Sequence, residues 1–227
     1  MRVLNLCHGQ GNGVDSACLM TASNMLIGKG EDGDRNSCVC PILREFIIKT
    51  NDRMPLEFLG GLYGPLVWEI VGTRNDDMEV MEARAFKLVD WCVRVQVPAL
   101  LDRLGDDRHE AMRAIGEISD RAAASKARDS IRGLFKFDSS ASGSAAVYAI
   151  DSTIVVASGS PAAAAKYAAY AAAFGADYCP AVRTSRDYWA MFPEIIRKVA
   201  SIGDTRPKEM PEVVLTDEQL VEALGGK

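Results

Sequence analysis

Cys18 is the residue whose type and setting best suit a nucleophile. It lies at the start of a predicted helix, just after His8-Gly9-Gln10-Gly11-Asn12-Gly13. A thiol at a helix N-terminus has a lowered pKa and attacks more readily. A cysteine hydrolase, however, needs an imidazole within hydrogen-bond reach. The chain has two histidines, His8 and His109. His109 sits in the charged stretch Asp106-Asp107-Arg108-His109-Glu110, which reads as solvated. The sequence favours a small buried thiol where two helices touch, and it argues against an enzyme.

Metal chemistry is the next candidate. Cys7, His8, Cys18, Cys38 and Cys40 all fall in the first forty residues. These are zinc-ligand types, but Cys38-Val39-Cys40 is a C-x-C and not the usual C-x2-C knuckle. Cys7, His8, Cys38 and Cys40 are therefore weak ligand candidates, and no metal or other cofactor is expected. The glycines from Gly9 to Gly13 lack the Gly-Lys-Ser/Thr of a phosphate loop and the strand, spacing and acid of a dinucleotide fingerprint. Asp32-Gly33-Asp34 lacks the rest of a calcium loop.

A third group is polar. Asp34, Arg35, Asn51, Asp52, Thr73, Arg74 and Asp90 fall mostly at predicted element ends. Side chains of this kind cap helices and bind nearby backbone, and the planar guanidinium pairs with carboxylates. Staples between helices are the expected role. The alternative is a cleft for a small, nucleotide-like anion, with Asp34, Arg35, Asn51, Asp52 and Arg74 as its ligand-binding residues.

The elements that position these residues read as helices. Met78, Met81, Ala85, Leu88, Cys92 and Val95 recur at three- and four-residue spacings, which predicts a helix over 76–95 with one apolar stripe. Glu79, Glu82, Arg84, Lys87, Asp90 and Arg94 lie off that stripe, and Pro98 ends or restarts the helix. Asp15 or Ser16 caps a helix to Ile27, and Pro41 opens another carrying Ile42, Leu43, Phe46 and Ile47. Shorter helices are expected over 54–62 and 65–71, and further ones over 108–118, 120–134, 188–200 and 216–224. Strand propensity rises within 145–157, and the residues by themselves leave helix or strand open there. Val3 to Leu6 and Val213 to Leu215 are the other strand signals. The fold class is mainly α, a multi-helix bundle with at most one or two short strands. The expected organisation is a helical region over 1–136, a Ser/Gly hinge at 137–143, and an alanine-rich helical region over 144–227 packed on the first.

Composition bounds the function. The 227 residues are 48% hydrophobic and 25% charged, with a net charge of −5. No dense basic cluster marks a nucleic-acid partner. The N-terminal apolar stretch is too short for a signal peptide, and 143–176 is cut by Ser158-Gly159-Ser160-Pro161, so no membrane segment is expected. Six cysteines on helix faces suit reduced thiols in the cytoplasm. The helix over 162–174 is alanine nearly all round, with Tyr167, Tyr170 and Phe174 at three- and four-residue spacing. Such a helix is either the centre of a bundle or an oligomer seam, and in the second case those three aromatics form the interface.

Six segments in order carry a resemblance. They are Ser16-Ala17-Cys18-Leu19-Met20, the run from Asp34 to Leu43, Thr50-Asn51-Asp52, Val71-Gly72-Thr73-Arg74, Leu88 to Val95, and the alanine-rich run from Ala162. Together they resemble a family of hypothetical proteins of bacteria and phages, with Asn36 standing where that family has proline. The resemblance implies a helical protein in a bacterial or phage-infected cell, and no catalytic residues to carry over. The function expected is non-enzymatic, through homo-oligomerisation or binding of a protein partner. Binding or sequestering of a small anion and Cys18-dependent hydrolysis are the alternatives.

Overall fold

Short polar side chains and prolines set most of the helix starts. The computed structural model describes residues 5–8, 16–27, 38–136 and 140–204. Two two-residue strands, β1 (Asn5–Leu6) and β2 (Ser16–Ala17), pair in parallel with Asn5 opposite Ser16. Cys18 then caps α1 (Leu19–Leu26), its Sγ accepting from the Thr21 amide at 3.3 Å. Pro41 stands in the first turn of α2 (Pro41–Asn51), where its missing N–H removes no helix bond. Pro55 and Pro65 precede α3 (Leu56–Tyr63) and α4 (Leu66–Glu69). Asp77 caps α5 (Met78–Trp91) through the Glu79 amide at 2.9 Å.

The chain does not stop at Pro98. It runs from α5 through a π-helical turn, Cys92–Gln96, into α6 (Val97–Arg103). Pro98 cannot donate to the carbonyl four residues back. The turn before it is widened, with the Val97 amide bonded to the Cys92 carbonyl five residues back. An extra residue in a turn rotates the later part of the helix by about 100°. This corrects the predicted stripe. Ala85, Leu88 and Cys92 are fully buried, but Val95 is 44% exposed and Gln96 is turned inward instead. Met78, at the exposed first turn, also lies outside the core.

A short α7 (His109–Arg113) comes next. Asp120 caps α8 (Arg121–Leu134), and Ser140 caps α9 (Ala141–Ala157) through the Gly143 amide. The expected hinge at 137–143 is thus corrected at its C-terminal half, which forms the cap and first turn of α9. The ambiguous stretch 145–157 is helix. The chain continues with α10 (Pro161–Tyr178), α11 (Pro180–Arg183) and α12 (Arg186–Ser201). The expected helix over 216–224 and the strand over 213–215 lie outside the described residues. The described chain is mainly α, as the periodicity predicts.

The core has two parts. In one, α10 packs along α9, α2 and α5. Ala164, Ala165, Ala168, Ala169, Ala171, Ala172 and Ala173 are all fully buried, and such small contact residues allow close helix approach. The other part is aromatic. Phe46 of α2, Trp91 of α5 and Phe192 of α12 meet with ring centroids 5.4–6.0 Å apart. Trp189 extends the cluster, 5.0 Å from Phe192.

Candidate functional site

Around Cys18 the structure builds a tie. The Cys18 thiol is 5% exposed and lies 3.3 Å from the Thr21 hydroxyl as well as the Thr21 amide. Asn51, buried at the end of α2, accepts from the Leu19 amide at 3.4 Å and donates to the Cys7 carbonyl at 2.9 Å. One side chain thus links the strand pair, the start of α1 and the end of α2. His8 Nε2 donates to the Met54 carbonyl at 2.7 Å. His109 lies on the α6–α7 turn, Nδ1 on the Asp106 carbonyl at 2.8 Å and Nε2 3.1 Å from Glu110. Neither imidazole is bonded to Cys18.

The remaining cysteines serve packing. Cys40 is buried with its Sγ 3.8 Å from Met81 Sδ. Cys7 and Cys38 are half-buried, and none of the six cysteines forms a disulfide. Among the described residues no group of three or more metal-ligating side chains forms.

Among the described residues, the polar side chains make separate contacts. Thr73 accepts from the Cys40 amide at 3.1 Å and donates to the Ile70 carbonyl at 2.6 Å. Arg74 pairs at the surface with Asp76, its amide on the Cys38 carbonyl. Asp90 takes both Arg94 nitrogens, at 2.6 and 3.0 Å, and the Ile118 amide at 2.9 Å. Asp52 is the exposed C-cap of α2. Asp34 and Arg35 lie outside the described residues.

Arg84, expected off the apolar stripe, is a correction. It is 1% exposed. Its guanidinium donates to the carbonyls of Thr73 at 2.7 Å, Ile202 at 3.0 Å and Ala200 at 3.4 Å. A cation is favoured at a helix C-terminus, where unpaired carbonyls point outward. Arg84 therefore fastens the end of α12 to α5 and the loop before it. Its neighbours Ala83, Ala85 and Phe86 are the only local sign that it faces inward.

Gln96 is a second residue that sequence reasoning missed. Turned inward by the π turn, its amide nitrogen donates to the Ala172 carbonyl at 3.3 Å and to the Tyr188 hydroxyl. Tyr188 donates in turn to that carbonyl at 2.8 Å. Burial pushes the neighbouring Cys92 thiol up to about 12 and the Tyr188 hydroxyl well above its ordinary value. Both stay neutral, as a network holding α10 and α12 to the turn requires.

Seven alanines of α10, between Ala164 and Ala173, face other helices of the same chain, as the bundle-centre alternative has it. Tyr167 and Tyr170 are half-buried at its edge, packed on each other and, for Tyr170, on Tyr148. The Phe174 side chain lies outside what the structure describes.

Two surface features remain. An open groove of about 580 Å³ runs between the start of α5 and the start of α8, lined by Glu79, Glu82, Phe86, Asp120 and Arg121. The Arg121–Glu82 pair, at 2.5 Å, spans it. The other is an exposed strip over α3 and α4. Gly64 and Pro65 keep helical dihedrals, so the two short helices run along nearly one path. Leu56, Glu57, Gly60, Gly61, Pro65 and Trp68 line it, Leu56 exposed by 57% and Trp68 by 38%. Gly64 is required there, since a Cβ would stand 2.4 Å from the Gly60 carbonyl. Gly60 is not: a Cβ there meets nothing within 4 Å.

No helix among the described residues is long and apolar enough to cross a membrane. No protein-family profile, curated protein or solved structure matches the chain.

Proposed function

We propose that the protein acts without catalysis, as a homodimer formed through the α3–α4 strip. The observation that carries this reading is Gly60. Glycine inside an exposed helix costs about 1 kcal/mol relative to alanine. No contact among the described residues recovers that cost. Gly60 makes a shelf that another backbone or a large side chain can approach closely, bordered at Gly61 by the Arg186 guanidinium, 3.8 Å from where a Cβ would stand. Trp68 stands beyond it, two helical turns along, and Leu56 flanks the other side. A two-fold axis across this strip sets Trp68 of each copy on the glycine shelf of the other, as isologous contacts require. Exposed tryptophan is the residue type most enriched at interaction hot spots.

A non-enzymatic role is supported by Cys18, which caps a helix and is bonded to neither imidazole. A cytoplasmic setting is supported by six cysteines that form no disulfide. Sedimentation equilibrium of the whole chain at micromolar concentration tests the dimer. The expected result is twice the chain mass, falling to one chain mass for Trp68→Arg with unchanged far-ultraviolet circular dichroism. A monomer in the unsubstituted protein, or a dimer indifferent to both Trp68→Arg and Gly60→Arg, overturns the reading.

A further inference from the structure

Three cations gather round one tyrosine ring where the end of α2 meets α10. Lys49 Nζ lies 5.9 Å from the Tyr170 ring centroid, Arg53 Cζ 5.6 Å and Lys166 Nζ 5.8 Å. Tyr148 of α9 rests against the same ring at 5.5 Å, and Tyr167 meets it edge-on at 6.4 Å. All six side chains are half-buried, neither sunk in the core nor free in solvent.

Ordinary packing accounts for part of this. Lys49 is in the last turn of α2, where a cation complements the helix dipole. Lys166 is one turn before Tyr170 on α10, and cations are attracted to aromatic faces. It does not account for the convergence. No two of the three charges are further apart than the sum of their distances to that centroid, about 12 Å. Like charges at such distances repel, and the chain as a whole is acidic, with a net charge of −5. Among the described residues neither Lys49 nor Lys166 is joined to a carboxylate. Asp151, one turn along α9 from Tyr148, is half-buried, and the cation acting on it is Arg132 of α8. Lys49 and Lys166 therefore place positive charge beside aromatic faces.

We propose that this patch binds a nucleoside phosphate. Lys49 and Lys166 take the phosphates, and Tyr167 stacks on the base. Several clustered positive charges match a ligand with more than one negative charge, and half-exposed tyrosines supply the flat apolar surface that a base uses. The site lies on α2, α9 and α10, away from the α3–α4 strip, and it does not depend on dimer formation.

Isothermal titration of the whole protein at low salt tests it, with ATP, inorganic tripolyphosphate and adenosine as separate probes. Saturable binding of one ATP per chain is expected, weakened by added salt. Tripolyphosphate should bind more weakly than ATP, and adenosine more weakly still. Lys49→Gln and Lys166→Gln should each reduce ATP affinity about tenfold, the usual effect of losing one charge-assisted contact. Tyr167→Ala should reduce ATP affinity by at least about fivefold and leave tripolyphosphate unchanged. Lys166→Arg, which keeps the charge, should retain binding and separates a lost contact from a damaged fold. No saturable ATP binding, or ATP binding indifferent to both lysine changes, overturns the proposal. Tripolyphosphate binding as tightly as ATP overturns recognition of the base.

Discussion

Asp106 shows how one side chain ties three elements. It lies between α6 and α7 and takes two Arg108 nitrogens, at 2.8 and 2.5 Å, and the Arg108 amide at 3.1 Å. The Arg108 guanidinium covers the Phe135 ring at 4.2 Å, just past the end of α8. Hydrogen bonding from Arg108 first, with help from Ser142 of α9, holds the Asp106 carboxyl down at about 2 from an ordinary 3.8. A carboxylate held below its unfolded value stabilises the fold fully above that value. The contribution is lost as pH falls through the folded one. Asp106 should thus supply on the order of 1–2 kcal/mol near neutrality. That contribution should disappear between about pH 4 and about pH 2. Denaturant unfolding of the native chain and of Asp106→Asn across that range measures it. The difference between the two should shrink as the solution is acidified, and a constant difference contradicts the assignment. The residue-level surprise is Arg84. Charged side chains are rarely buried unless paired, so a sequence pattern puts it outside. Three backbone carbonyls from distant segments satisfy it, and they are invisible to any local pattern.

At the scale of elements, local signals suffice where caps and periodicity agree. Asp77, Asp120 and Ser140 all cap by accepting an amide two or three residues on, and Pro41 opens α2. The α5 stripe is right at its centre and wrong at its ends. Periodicity assumes an unbroken 3.6-residue repeat, and the π turn before Pro98 resets it. Leu88 sits on the part that survives. It is fully buried, with Trp91 nearly so and Met81 packed against the same core. Leu88→Ala should destabilise by about 2–5 kcal/mol, the usual cost of truncating a buried leucine. Chemical denaturation gives that value directly. A loss under roughly 0.5 kcal/mol, the range of surface substitutions, contradicts the buried face.

For the whole molecule, α10 decides the organisation. It belongs to the alanine-rich half of the chain yet packs on α2 and α5 of the first half as well as on α9. Ala169 lies in the middle of that contact and is fully buried. Ala169→Glu puts an unpaired carboxylate into the core, at the high cost of burying a charge. The variant should therefore fail to fold cooperatively, and not merely separate into folded monomers. Circular dichroism and thermal unfolding read this. A folded, stable Ala169→Glu protein contradicts the internal placement of α10.

Composition, caps and three- and four-residue spacing were enough to determine a mainly helical chain and the apolar centre of α5. They also place Cys18 at the start of a helix, where the structure finds it as the cap of α1. These are local properties, governed by backbone geometry and by which side chains share one face of one helix. Tertiary structure alone decided the rest. An all-round alanine helix reads first as core and second as seam, because both bury the same surface, and the neighbours of α10 show its buried alanines facing other helices of the chain. The tyrosine patch draws Lys49, Arg53, Tyr148, Lys166, Tyr167 and Tyr170 together. Lys166 lies more than a hundred residues from Lys49 and Arg53 in sequence, and they meet only because α2 packs against α10, a contact between distant segments that no local spacing encodes.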